Sequence, residues 1–102
     1  MAFQIHVHND DGIQVDISGD FDIISASEVK TKVLEAYQNA PGDIVFHFEN
    51  LQYLDSTGIG ALISIYKNVK PNGHSITIRA ARENVKKLFR ITKLDQDFIL
   101  ED

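Results

Sequence analysis

The sequence contains no cysteine. That absence removes disulfides, thiolate metal sites and cysteine nucleophiles from consideration, and a chain that folds without cross-links fits a reducing compartment. Basic side chains are also scarce: ten Lys and Arg face fifteen Asp and Glu, for a net charge of -5. Nucleic-acid binders rest their affinity on Lys and Arg neutralising phosphates, so this balance argues against that class. No apolar run reaches the length of a membrane span, and the best, Ile59 to Tyr66, is short and interrupted by Ser64. The first residues lack the basic and apolar regions of a signal peptide. Together these absences predict a soluble, cytoplasmic protein with neither nucleic acid nor membrane as partner. At 102 residues, a single domain over residues 1–102 is expected, burying roughly two-thirds of its unfolded surface.

What is present is patterned. Phe3, Ile5 and Val7 alternate with Gln4, His6 and His8, as do Ile13, Val15 and Ile17 with Gln14, Asp16 and Ser18. Period-two alternation predicts half-buried strands, and Asp11-Gly12 between them supplies the positive dihedrals of a tight hairpin. Gly19 to Ile24 is too short and irregular for a helix and stands in the order as an optional third strand. Ser25 and Glu28 stand at capping-box spacing before Val29, Val33, Leu34 and Tyr37, which share one helical face until Pro41-Gly42. Ile44, Phe46 and Phe48 predict a strand made central by the second apolar face at Val45, and residues 50–54 carry it onward. Ile59, Leu62, Ile63, Tyr66 and Val69, widened by Ala61 and Ile65, predict a deeply buried helix ending at Pro71-Asn72-Gly73. A strand over residues 75–80, a helix over 82–92 with Val85, Leu88 and Phe89 inward, and a short strand at 98–100 complete the order. Strands alternating with helices imply parallel pairs after an antiparallel hairpin. The expected fold class is α/β: a small mixed sheet of four to five strands with about three helices packed mainly on one side.

Between the central strand and the buried helix lies Leu54-Asp55-Ser56-Thr57-Gly58-Ile59-Gly60. Read from its own residues, this is a helix cap: Asp or Ser accepts from free amides for about 1 kcal/mol, and the glycines permit close packing. Three catalytic readings fail on spacing. A nucleophile elbow needs glycine where Leu54 stands. A phosphate-cradling loop needs a lysine, and none follows Gly60 before Lys67. An aspartic-protease triplet is broken by Thr57. His6 and His8 share the outward face of the first strand and His47 and His74 also fall in strands. No companion cluster of Asp, Glu or Cys stands at ligand spacing along the sequence. The histidines are therefore read as structural or solvated, and neither a metal nor a cofactor is expected.

Two motifs together resemble a known family. Asp55-Ser56-Thr57-Gly58-Ile59-Gly60 is similar to the Asp-Ser-Ser/Thr-Gly-aliphatic-Gly signature of bacterial anti-sigma factor antagonists, the STAS-domain family. Upstream, Gly19-Asp20-Phe21-Asp22, two residues, then Ser25-Ala26 resembles that family's second element. The resemblance implies the STAS fold and a partner-switching regulator that is not an enzyme. In such a regulator the unphosphorylated antagonist binds an anti-sigma factor that is also a serine kinase, a GHKL-type ATPase, and thereby frees a sigma factor. The kinase then phosphorylates the serine after the aspartate, here Ser56, which abolishes binding, and a PP2C-type phosphatase resets the system. Thr57 is the weaker acceptor. Asp22, Ser25, Asp55, Ser56, Thr57, Gly58 and Gly60 are the partner-contact residues that the resemblance implies. The rival reading is a STAS scaffold or small-ligand-binding module that is never phosphorylated.

Physical chemistry adds a separate reason. A helix N-terminus favours an anion, so a phosphate of about -1.5 to -2 charges at Ser56 leaves the helix intact and acts at the docking surface.

Overall fold

The computed structural model describes residues 3–102; the domain expectation for residues 1 and 2 lies outside them. The chain runs β1 (Gln4–Asn9), β2 (Ile13–Phe21), α1 (Ala26–Asn39), β3 (Ile44–Leu54), α2 (Ser56–Val69), β4 (Ile76–Arg79), α3 (Glu83–Ile91) and β5 (Ile99–Glu101), with single 3-10 turns before β4 and β5. The five strands lie in sequence order, β1-β2-β3-β4-β5. The first pair is antiparallel and the other three are parallel.

That order decides where the helices go. Each crossover advances one strand in the same direction, and parallel crossovers are right-handed. All three helices therefore cover the same face, and the other face is left without a helical layer. The covered face holds Ile13, Val15, Ile17, Phe21, Ile44, Phe46, Phe48, Ile76 and Ile78, all at most 2% exposed, against Val29, Val33, Leu62, Ile65, Val69, Val85 and Phe89 from the helices. On the open face Gln14, Ser18, Val45, His47 and Thr77 are half-buried, while Asp16, Glu49 and Arg79 are exposed. β3 is central, as the apolar second face at Val45 predicts.

The hairpin forms at Asp11-Gly12, with φ of 54° and 110°. Gly12 also fits beneath a close neighbour, since a Cβ there would lie 2.9 Å from the Asp43 carbonyl oxygen.

Three sequence expectations are corrected. The optional third strand is not separate: Gly19 to Phe21 is the last part of β2, with Gly19 at φ 87° and the register against β3 shifting on either side of it, and residues 22–25 lead into α1. The capping box at Ser25 and Glu28 does not form: Ser25 is in the right-handed helical region and makes no side-chain cap, and Glu28 instead pairs with Lys32 at 3.2 Å. His74 lies in the loop before β4, where its Nδ1 meets the Tyr37 hydroxyl at 2.6 Å.

Candidate functional site

β2 and β3 run side by side to the same rim of the sheet, where Phe21 is the register partner of Leu54. The two segments that follow are thereby brought together: the loop 22–25 leading into α1, and the Asp55–Gly58 turn leading into α2. They are joined directly, the Asp55 amide donating to the Phe21 carbonyl at 3.3 Å.

Asp55 is the N-cap of α2. Its backbone is extended, at φ -106° and ψ -175°, and its carboxylate Oδ1 accepts from the Gly58 amide at 2.9 Å. The first intrahelical bond closes from Ile59 to the Asp55 carbonyl at 3.0 Å. Ser56 and Thr57 are then the first two helical residues, where backbone amides have no intrahelical partner. Both side chains are exposed. Among the described residues, neither hydroxyl is engaged in a hydrogen bond. Ser56 therefore offers a free nucleophilic oxygen at the positive end of a fourteen-residue helix.

The glycines divide the work. A Cβ on Gly58 would lie 2.5 Å from the Phe21 carbonyl oxygen and 2.6 Å from Leu54 Cδ1, whereas one on Gly60 would meet nothing within 4 Å. Gly58 is buried and serves helix-to-strand packing; Gly60 is exposed and leaves the first turn slim. It lies on a groove of about 430 Å³ between α1 and α2, lined by Ala26, Ser27, Lys30, Thr57, Gly60 and Ala61 among others.

Asp22 and Ser25 shape the adjoining loop. The Asp22 carboxylate accepts from the amides of Ile24 at 3.0 Å and Ser25 at 3.3 Å. The Ser25 hydroxyl donates to the Asp20 carbonyl at 2.9 Å and accepts from the Asp22 amide at 3.0 Å. Ser25 is 3% exposed, so it sets the loop from beneath and does not itself present a surface. This clamp holds up two side chains that pattern reading passed over: Ile23 and Ile24 stand 73% and 87% exposed. They put two large apolar side chains in solvent on the loop that adjoins the start of α2. Their signal in the sequence is an Ile-Ile pair inside a polar turn.

One grouping with metal-ligand chemistry lies elsewhere. Asp16, His47 and Glu49 bring one ligand atom each within 4.8 Å of one another on the open sheet face. Spacing along the sequence does not reveal this grouping, because it is parallel pairing that sets Asp16 opposite His47.

This is the architecture of a STAS domain, and the chain belongs to that family, whose model matches residues 3–102. An anti-sigma-B factor antagonist of Bacillus subtilis is 33% identical over 86 residues, covering 84% of this chain and 78% of that protein. Among solved structures, an anti-sigma factor antagonist from Mycobacterium paratuberculosis superposes with a TM-score of 0.83 at 22% identity, covering 98% of this chain and 86% of the other. The Bacillus cell fate determinant SpoIIAA in its phosphorylated form superposes with a TM-score of 0.75 at 20% identity, over 97% of this chain and 90% of that one. No helix among the described residues is long and apolar enough to cross a membrane.

Proposed function

We propose that this chain is an anti-sigma factor antagonist that works by partner switching and is not an enzyme. Unphosphorylated, it binds an anti-sigma factor that is also a serine kinase of the GHKL ATPase type, and so frees a sigma factor. Phosphorylation of Ser56 ends that binding, and a PP2C-type phosphatase restores it. The observation that carries the reading is the placement of Ser56: an exposed, unengaged hydroxyl at the first position of α2, directly after a capping aspartate. The names of the relatives support it.

The geometry suits a switch that acts at a surface. The phosphate would sit where helix amides and dipole favour an anion, so α2 remains folded. Its charge adds to that of Asp55 one residue away, and together they face whatever docks on Ile23, Ile24 and the α1–α2 groove. A rebinding penalty of about 3 kcal/mol weakens docking on the order of a hundredfold, enough to exchange partners.

Incubation with the cognate kinase and ATP should add one phosphate at Ser56, read by mass spectrometry; a phosphate elsewhere would overturn the assignment. Ser56→Ala should bind the kinase constitutively and Ser56→Asp poorly, and equal affinities of the two would contradict the charge mechanism.

A further inference from the structure

The open face of the sheet carries a row of polar side chains set by register: His6 pairs with Asp16, Asp16 with His47, His47 with Arg79, and Arg79 with Glu101. At one end Arg79 and Glu101 satisfy each other at 3.4 Å. At the other, two carboxylates are gathered with no such partner: among the described residues, no lysine or arginine reaches Asp16 or Glu49 within salt-bridge distance. What accompanies them is imidazole. Asp16, His47 and Glu49 place their ligand atoms within 4.8 Å of one another, and His8 Nδ1 stands 4.0 Å from Asp16 Oδ2. His6 lines the same cleft of about 510 Å³ as Asp16, His47 and Glu49.

Two features prepare this group. The pairing of β2 with β3 slips by one residue between Asp16–His47 and Ser18–Asn50, so Glu49 sits in a β-bulge, a device that re-aims a side chain. His47 Nε2 meets Gln14 Oε1 at 2.7 Å. A carboxamide oxygen only accepts, so Nε2 is the donor in this contact and Nδ1 is the ring nitrogen left for a ligand. A ligating histidine is held in this way, its other ring N–H spent on an outer acceptor.

We propose that Asp16, His47 and Glu49 form a binding site for a divalent cation of the zinc class on the open face of the sheet, with water completing the shell. Mixed imidazole and carboxylate donors suit zinc at about 2.0–2.2 Å, whereas magnesium and calcium prefer all-oxygen shells. Donors around one zinc lie closer together than 4.8 Å, and rotation of side chains on an uncovered face closes the difference. The ion would also cancel the repulsion between two carboxylates that no lysine or arginine among the described residues neutralises.

Isothermal titration of zinc chloride into the untagged full chain tests this, with magnesium chloride in parallel. One zinc should bind per chain at micromolar concentration and magnesium should not saturate. Asp16→Asn, Glu49→Gln and His47→Ala should each weaken zinc at least about tenfold, the scale of losing a metal-site partner, with circular dichroism confirming that each variant is folded. His74→Ala and Ser56→Ala should bind as the unaltered chain does, so the outcome is separate from the phosphorylation reading. No saturation by millimolar zinc, or unaltered affinity in folded Asp16→Asn and Glu49→Gln, overturns the proposal.

Discussion

Gly58→Ala isolates the contact between the two halves of the rim. A Cβ at this position would meet the Phe21 carbonyl oxygen at 2.5 Å, Leu54 Cδ1 at 2.6 Å and Phe21 Cδ1 at 3.1 Å. The leucine methyl can turn away. The carbonyl cannot, because it belongs to β2 and accepts from the Asp55 amide at 3.3 Å. Reaching ordinary contact means opening the rim by about 0.9 Å, and overpacking of this kind costs about 1–3 kcal/mol. Against it stands the helix preference of alanine over glycine, up to about 1 kcal/mol. The steric cost wins, leaving a net loss of about 1–2 kcal/mol. In urea denaturation followed by circular dichroism, the midpoint should fall by about 1 M with the slope unchanged. Gly60→Ala is the matched control. It stands in the same helical turn with nothing within 4 Å, so it should stabilise by about 0.5–1 kcal/mol. If Gly58→Ala proves as stable as Gly60→Ala, the close approach of α2 to β2 described above is wrong.

Asp55→Ala removes the cap on the Gly58 amide and should cost about 1 kcal/mol in urea titration. Asp55→Asn keeps the cap while removing the charge, so it should be nearly as stable as the parent, and a full loss in both would deny the cap. Ile24→Ser should leave the denaturation midpoint within about 0.5 kcal/mol, as expected of a surface change, yet weaken kinase binding in a pull-down; undiminished binding would remove this loop from the docking surface. The Lys86 ammonium, 2.8 Å from Asp102, holds that carboxyl below the usual carboxylate range and raises its own pKa, each chiefly through their hydrogen bond. A lowered carboxyl favours the charged form, so the pair is intact at neutral pH and is lost as pH falls through the lowered value. An NMR titration of Asp102 should return to the ordinary range in Lys86→Gln, and an unmoved midpoint would refute the pairing.

Much of the architecture was legible because local chemistry and global fold agree. Asp11-Gly12 dictates its hairpin, and the wide apolar stripe from Ile59 to Val69 dictates a helix buried against a sheet. The turn at residues 55–60 was legible as a cap from its residues, and the switch proposed for it rests on resemblance. What escaped depends on register. That residues 19–21 continue β2 and form no strand of their own is masked by pairing shifts that break alternation. Ser25 looks like a cap beside Glu28, but Asp22 captures the loop amides first. Asp16 is far in sequence from His47 and Glu49, and only the parallel register of β2 on β3 brings it beside them.

The pairing of Phe21 with Leu54 at the end of two parallel strands also constrains how this chain can vary. The far rim, where Pro41–Asp43 and Asn72–Ser75 turn the chain back into the sheet, can lengthen or shorten without moving Ser56 relative to the Asp22 loop. A single inserted residue within β2 or β3 cannot be absorbed so cheaply. It would shift one half of the rim by a strand step and turn its side chains to the opposite face. Natural variation in length should therefore gather at one end of this molecule and be nearly forbidden at the other.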